Sequence, residues 1–419
     1  MSEQPSVPPW RNHDFVHLWI AQATGLVGQQ FSVLAVPLVA IITLQASAPT
    51  VGLLVAVFNL PWLIFGLFVG VIVDRVSRRR LLIISDVARA VLLLSVPVAA
   101  LLGWLTIGQL FVLAILVGAF DVCWLTAYRS YIPNVVPSER LEQAYAATGA
   151  TDGVTRTAVP SLAGFIIQAL GPPAGLLITG ASYLVSAVSN ATIRRRERPP
   201  MPDDHEPVLR AFLDGLIYTW RQRTVRSLAI SDGLYFFAWS ASQSITLVFL
   251  NRDLGLSAGM IGVVYSVGTV GGLVAAFLAR RIGSRFGAGR SIVSGSLLRS
   301  AGMALLPLAI VAGPLALPVV IGSRLVNAFG WTLWDVHQET TKQRLLADAV
   351  RGRANGSVQF VSGAALALGS AAGAGLAGLL DVELALTISG IATLSAVLWL
   401  AVAGIWSVRT TPETVAEPG

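Results

Sequence analysis

Apolar residues fill the chain in long blocks of 18 or more, and each block is broken by a short polar turn. A block of that length crosses a hydrocarbon core of roughly 30 Å as one helix. The pattern predicts spanning helices near 15–45, 50–73, 81–102, 105–128, 141–170 and 173–193. A second set follows near 226–250, 257–280, 290–312, 314–338, 350–380 and 383–407. Strands of a membrane barrel would alternate over about ten residues, a pattern absent here.

The connections alternate as sharply as the blocks. "QASAPT", "GWLTIG", "LGPPAG" and "VAGPLALP" carry no charge, and "NRDLGLSAG" carries little. The opposite set is "DRVSRRR", "YRSYIPNVVPSER", "RRRERPPMPDDHEPVLR", "RRIGSRFGAGR" and "HQETTKQRLLADAVRGR". Basic loops stay on the cytoplasmic side, so an even number of spans puts both termini there. The N-terminus lacks the charged start, short apolar core and cleavage site of a signal peptide. The first block is therefore expected to remain as a span.

Composition agrees: 54% of residues are hydrophobic and 12% charged, against roughly 25% charged in typical soluble domains. The excess of Lys and Arg (29) over Asp and Glu (22) follows the loops, which argues against a nucleic-acid surface. The single cysteine, Cys123, lies inside an apolar block. The four histidines lack metal-ligand spacing, so no metal is expected. The absence of a phosphate-binding loop argues against ATP as the energy source, and no cofactor is expected.

The two sets of blocks resemble each other at an offset of about 210 positions. Leu18 matches Leu228, Gly52 matches Gly262, and Arg75, Arg80 and Arg89 match Arg285, Arg290 and Arg299. "LVGAF" (116–120) matches "LVNAF" (325–329). A duplicated six-helix unit predicts an all-α membrane protein with two pseudo-symmetric bundles, 1–193 and 226–419. A cytoplasmic linker with a short amphipathic helix, 194–225, joins them.

"GVIVDRVSRRR" after the second block fits a known motif, G-x-L-x-D-R-x-G-R-K-x-x-L, with Gly70, Asp74, Arg75, Arg78, Arg79 and Leu82. Ile72 stands for the leucine and Ser77 for the inner glycine. On these residues the chain resembles the major facilitator superfamily. The resemblance implies twelve helices in the major facilitator fold, working by alternating access. It also makes Gly70, Asp74, Arg75, Arg78 and Arg79 a cytoplasmic gating latch. The weaker copy "RRIGSRFGAGR" keeps Arg285 and Gly287 but has Ser284 at the aspartate position. "YRSYIPNVVPSERLEQAYA" and "QRLLADAVRGRANG" resemble the branch of macrolide-efflux and enterobactin-export proteins. In the fifth block "RTAVPSLAG" keeps Arg156, Pro160 and Gly164 of the antiporter pattern R-x-x-G-P-x-x-x-G, with Val159 at the first glycine. The fourth block lacks the basic residue usual in that superfamily.

A charge near the bilayer centre costs ~2.5–3.5 kcal/mol on the insertion scale, so each calls for a reason. Asp121 in the fourth block is a proton carrier or the structural partner of a neighbouring arginine. Asp152 and Arg156, four residues apart, form a local ion pair or a pair that opens for a proton or substrate. Asp232 occupies the position of Gln22 in the other repeat and is a third candidate for proton coupling. Arg324, about ten residues into the tenth block, binds substrate or pairs with an aspartate of another helix. Asp86 with Arg89, and Arg299, are expected to form scaffold ion pairs with the cytoplasmic loops. Gln22, Gln29, Gln243 and Asn327 are polar residues on blocks that line the cavity in the superfamily. Trp239, Trp331 and Trp334 add flat apolar surface for a large ligand.

The expectation is therefore a transporter rather than an enzyme, a monomer in a bacterial cytoplasmic membrane, with lipid, protons and a small molecule as its partners. The resemblance implies proton-driven export of an amphipathic organic molecule such as an antibiotic, drug or siderophore. Two alternatives stay open: a facilitator or importer of a small metabolite, and a receptor or scaffold that kept the fold without transport.

Overall fold

The computed structural model describes residues 8–65, 69, 76–195, 208–346 and 348–408. The first six apolar blocks become α1 (His13–Leu38), α2 (Ala48–Phe65), α3 (Arg78–Leu101), α4 (Ile107–Val135), α5 (Leu141–Leu170) and α6 (Pro172–Thr192). The linker supplies α7 (Val208–Arg221). The second set becomes α8 (Arg223–Val248), α9 (Ala258–Phe286), α10 (Ala288–Leu305), α11 (Ala316–Leu345) and α12 (Asp348–Leu379). The last block is broken at Thr393 into α13 (Val382–Ala392) and α14 (Leu394–Val402).

The duplication read from sequence recurs in the backbone. Both α1 and α8 pass without interruption into a π-helical turn, Val39–Thr43 and Phe249–Asp253. Each turn is followed by a left-handed residue, Gln45 (φ 51) and Gly255 (φ 64). The glycine meets this demand freely. Gln45 meets it with help from its own side chain, whose Nε2 donates to the carbonyl of Ile42 at 2.8 Å.

Helix starts are fixed by short polar side chains that accept from the otherwise unpaired first N–H groups. Asn12 caps α1 and Thr106 caps α4. Ser77 caps α3, accepting from the amide of Arg80 at a φ of −54. The serine at the motif's glycine position thus has a local use, and the backbone there has no need of a left-handed residue. Arg79 Nε donates to the carbonyl of Asn190 at 3.1 Å and its Nη2 to that of Ala191, tying the start of α3 to the open end of α6. Gly70, Asp74 and Arg75 of the same motif lie outside the described residues.

Among the described residues, ten helical segments are long and apolar enough to cross a membrane, and Ala48–Ile64 is apolar but shorter. α5 has the length, and Glu142, Asp152 and Arg156 reduce its apolar character. Large apolar side chains stand exposed along the helices, Val91, Leu101, Val188 and Phe277 among them, as contact with lipid tails requires. The chain is a multi-pass integral membrane protein.

Two compact units emerge. One combines Met1–Ala46, Leu60–His205 and Ser257–Val263; the other combines Ser47–Asn59, Glu206–Leu256 and Val264–Gly419. In the first unit the opening turn of α9 crosses α5 at very short range. A side chain on Gly164 would collide with the carbonyl oxygen of Ala258, and one on Gly262 with that of Pro160. Small residues at such a crossing let two backbones meet directly, a common way of joining helices in lipid.

Candidate functional site

In the first unit, two helices each present a stripe of residues at helical spacing. α1 supplies Gln22, Gly25, Leu26 and Gln29, while α4 supplies Asp121, Trp124, Leu125 and Tyr128. Residues three, four and seven apart fall on one helix face, so each stripe points one way. Trp62 of α2, Arg89 of α3, and Asp152 and Arg156 of α5 complete the wall, with Arg129 at the end of the α4 stripe. Together they line a cavity of about 290 Å³.

Arg89 sits at the buried end of that wall, 4% exposed. Its Nη1 is 2.6 Å from Oδ1 of Asp121 and its Nη2 is 2.5 Å from Oδ1 of Asp86. Nε donates to the carbonyl of Ser85 at 3.3 Å. The guanidinium also packs against the rings of Tyr183 at 4.2 Å and Trp124 at 5.3 Å. The two carboxylates differ in their support. Asp86 accepts at its other oxygen from Ser186 Oγ at 2.7 Å and Asn190 Nδ2 at 3.0 Å. Asp121 accepts from Arg89 alone among the described residues and faces the cavity. One cation and two carboxylates leave a single negative charge uncompensated in a site from which water is largely removed.

The other candidates in this unit are less enclosed. Asp152 Oδ2 and Arg156 Nε are 2.8 Å apart, with side chains 36% and 57% exposed. Gln22 accepts from the Tyr128 hydroxyl at 2.6 Å, and Tyr128 stacks on Trp124 at 5.0 Å. Pro160 and Gly164 lie at the α5 crossing already described and not on the cavity wall.

The second unit carries a different chemistry at the equivalent positions. Arg299, the counterpart of Arg89, is fully buried and has no carboxylate within ion-pair distance among the described residues. It lies between the rings of Tyr235 at 3.7 Å and Trp334 at 3.6 Å, with Trp331 at 5.9 Å. Gly330 makes this fit possible, because any side chain there would meet the backbone nitrogen of Arg299. The sequence suggested scaffold ion pairs with the cytoplasmic loops for Asp86 with Arg89 and for Arg299. Asp86 and Arg89 do pair, but the further partner of Arg89 is Asp121 inside its own bundle, and Arg299 is held by aromatic faces.

Asp232 is 3% exposed and accepts from Gln338 Nε2 at 2.5 Å, the counterpart of the contact between Tyr128 and Gln22. Its Oδ1 is without a hydrogen-bond partner among the described residues. Asn327 gives its amide hydrogens to the Tyr235 hydroxyl at 3.0 Å and the Arg299 carbonyl at 2.7 Å. Arg324 meets no aspartate among the described residues; its Nη1 donates to Gln243 Oε1 at 3.0 Å. Trp239 and Trp331 approach to 5.8 Å, and Phe236 lies 5.5 Å from Trp331.

Arg129, Trp124 and Tyr128 were not singled out from the sequence. The sequence puts the end of the fourth block near residue 128, with "YRSYIPNVVPSER" among the charged connections. The helix runs on to Val135, carrying Pro133 inside it. The signal was the spacing of Asp121, Trp124, Leu125 and Tyr128. Among the described residues no three His, Cys, Asp or Glu side chains gather as metal ligands.

A family model described as a transmembrane secretion effector matches residues 4–413. The MFS-type transporter y4rN of Sinorhizobium fredii is 28% identical over 407 residues, covering 96% of this chain and 94% of that protein. The multidrug efflux pump Tap of Mycolicibacterium fortuitum is 26% identical over 276 residues, covering 63% and 67%. The enterobactin exporter EntS of an Escherichia coli strain is 23% identical over 385 residues, covering 90% and 86%. Among solved structures, a bacterial homologue of the iron transporter ferroportin in an inward-facing state superposes with a TM-score of 0.75. It is 17% identical, covering 95% of this chain and 99% of that one.

Proposed function

Because the chain belongs to the transmembrane secretion effector family of major facilitator transporters, we propose that it exports an amphipathic organic molecule by alternating access, driven by proton antiport. We place it in a bacterial cytoplasmic membrane with both termini inside, on the distribution of its basic loops. Relatives named as a multidrug efflux pump and an enterobactin exporter support the outward direction.

The observation that carries the proton reading is the cluster of Asp86, Arg89 and Asp121. Both oxygens of Asp86 are engaged, by Arg89, Ser186 and Asn190. Asp121 therefore takes the proton, since it faces the cavity and has only Arg89 to give up. Protonation neutralises the cluster and loosens Arg89 from Asp121. A conformational equilibrium that exposes Asp121 to either side then becomes linked to proton binding. Proton entry from outside and release inside drives substrate the other way. Asp152 with Arg156 is exposed enough to stay an ordinary surface pair, and we assign it no proton. The motif of Gly70, Asp74, Arg75, Arg78 and Arg79 acts as the cytoplasmic latch between the states.

The test is accumulation of a panel of drugs and siderophores in a pump-deficient host, with and without an uncoupler. The reading requires lower accumulation when the protein is produced and restoration of accumulation by the uncoupler. Equal accumulation with and without the protein across the panel would remove it.

A further inference from the structure

Arg324 is 8% exposed in the interior of the second unit, and its Nε and Nη2 have no hydrogen-bond partner among the described residues. No carboxylate among them lies within ion-pair distance, and its neighbours are the Gln243 side chain and the ring of Tyr265 at 4.9 Å. Unsatisfied donors on a buried cation are costly, and a protein keeps them where something else completes the set. We propose that Arg324 receives the anionic group of the transported molecule, and that this molecule is an aromatic acid. The inference rests on the export reading and names the class of substrate.

The aromatic half of the assignment comes from what lies next to Arg324 along the same two helices. Gln243 stands one turn beyond Trp239 on α8, about 6 Å along the axis, and Arg324 stands two turns before Trp331 on α11, about 10 Å. α8 and α11 meet at two levels, once through Trp239 and Trp331 and once through Gln243 and Arg324. Trp239, Trp331 and Phe236 are half-buried, so they keep free ring surface. A ligand matching both levels has a flat apolar body and an acidic group roughly 6–10 Å away. Arg299 also has three nitrogens without a hydrogen-bond partner among the described residues, but it is 0% exposed and enclosed between the rings of Tyr235 and Trp334, whereas Arg324 keeps 8% of its surface open. Among the described residues Arg324 has a ring, that of Tyr265, against it on one side, and two nitrogens to offer.

The experiment titrates the purified full-length protein with 1-pyrenebutyrate, its neutral amide and 1-pyrenebutylamine, following quenching of tryptophan emission. The carboxylate is expected to bind about tenfold tighter than the amide, the gain of a charge-assisted hydrogen-bond pair. Arg324→Gln should erase that preference while leaving amide binding in place. Arg324→Lys should keep part of it, and Trp331→Leu should weaken all three probes. Equal affinity for the three probes, a preference that survives Arg324→Gln, or no saturable binding at all would overturn the assignment. Uncoupler-sensitive efflux of the drug and siderophore panel, measured in parallel, separates the two readings. If that efflux persists without any charge preference in binding, only the substrate class fails. If it is absent, the export reading fails with it.

Discussion

The Oδ1 atom of Asp121 lies 2.6 Å from Nη1 of Arg89, and this is the contact through which the carboxylate facing the cavity is held. One repeat later the equivalent arginine, Arg299, has aromatic rings where Arg89 has carboxylates. The duplicated unit has thus diverged, with an arginine–carboxylate cluster in the first unit and an arginine between aromatic rings in the second. That asymmetry shapes the predictions.

Asp86 is expected to anchor the cluster, because its two oxygens accept from Arg89, Ser186 and Asn190. Asp86→Ala leaves Arg89, Ser186 and Asn190 without their shared acceptor inside a fully buried site. Breaking such a pair costs about 3–5 kcal/mol. Thermal unfolding of the detergent-purified variant should shift clearly downward, and yield from membranes should fall. A variant as stable as the parent would contradict the anchoring role.

Arg89 and Arg299 should respond differently to removal of their charge. Arg89→Met strands two buried carboxylates, at a cost of about 3–5 kcal/mol. Arg299→Met loses ring contacts worth about 0.5–2 kcal/mol each but strands no ion-paired carboxylate. Side-by-side thermal melts should therefore show the larger loss in Arg89→Met. The reverse order would mean that Arg299 is held by something other than Tyr235 and Trp334.

The crossing of α5 with the first turn of α9 has no room for a side chain at Gly164. Gly164→Leu should push the two helices apart, an overpacking cost of about 1–3 kcal/mol or more. Efflux should be lost even where protein reaches the membrane, as judged by quantitative blotting beside the accumulation assay. Normal efflux in that variant would show that the close approach is dispensable.

Asp152→Asn should change little. Its partner Arg156 is exposed, and an i,i+4 pair of that kind contributes about 0.3–0.5 kcal/mol. Uncoupler-sensitive efflux should remain near the parental level. A complete loss would transfer the proton to α5.

Much of this was legible in the sequence, for identifiable reasons. Twelve helical blocks follow from apolar length, and the repeat follows from arginines recurring beside them; α1 and α8 even end in matching π-helical turns. Gln22, Gln29, Asp121, Asp152 and Arg156 were each visible as polar residues out of place, and the structure gathers all five on one cavity. What sequence could not reveal was partner choice. Arg89 and Arg299 are the same residue at the same position of the repeat, yet the partners of Arg89 sit on α3 and α4 while the cage of Arg299 comes from α8 and α11. The Asp86–Arg89 pair, three residues apart, was local and legible, whereas contacts between distant segments, Arg89 with Asp121 and Arg299 with its rings, leave no local pattern. The extension of α4 past Tyr128 was hidden by Pro133, which in a long membrane helix is tolerated without ending it.

The central claim is that Asp121 binds and releases the coupling proton. Infrared difference spectroscopy of the purified protein across a pH step reads this directly, without knowledge of the substrate. Acidification of the parent should produce several carboxylic acid C=O bands, since exposed carboxylates also take protons; Asp121→Asn should remove one that Asp152→Asn leaves in place. A spectrum of Asp121→Asn from which no band is missing, or loss of that band in Asp232→Asn instead, would contradict the account.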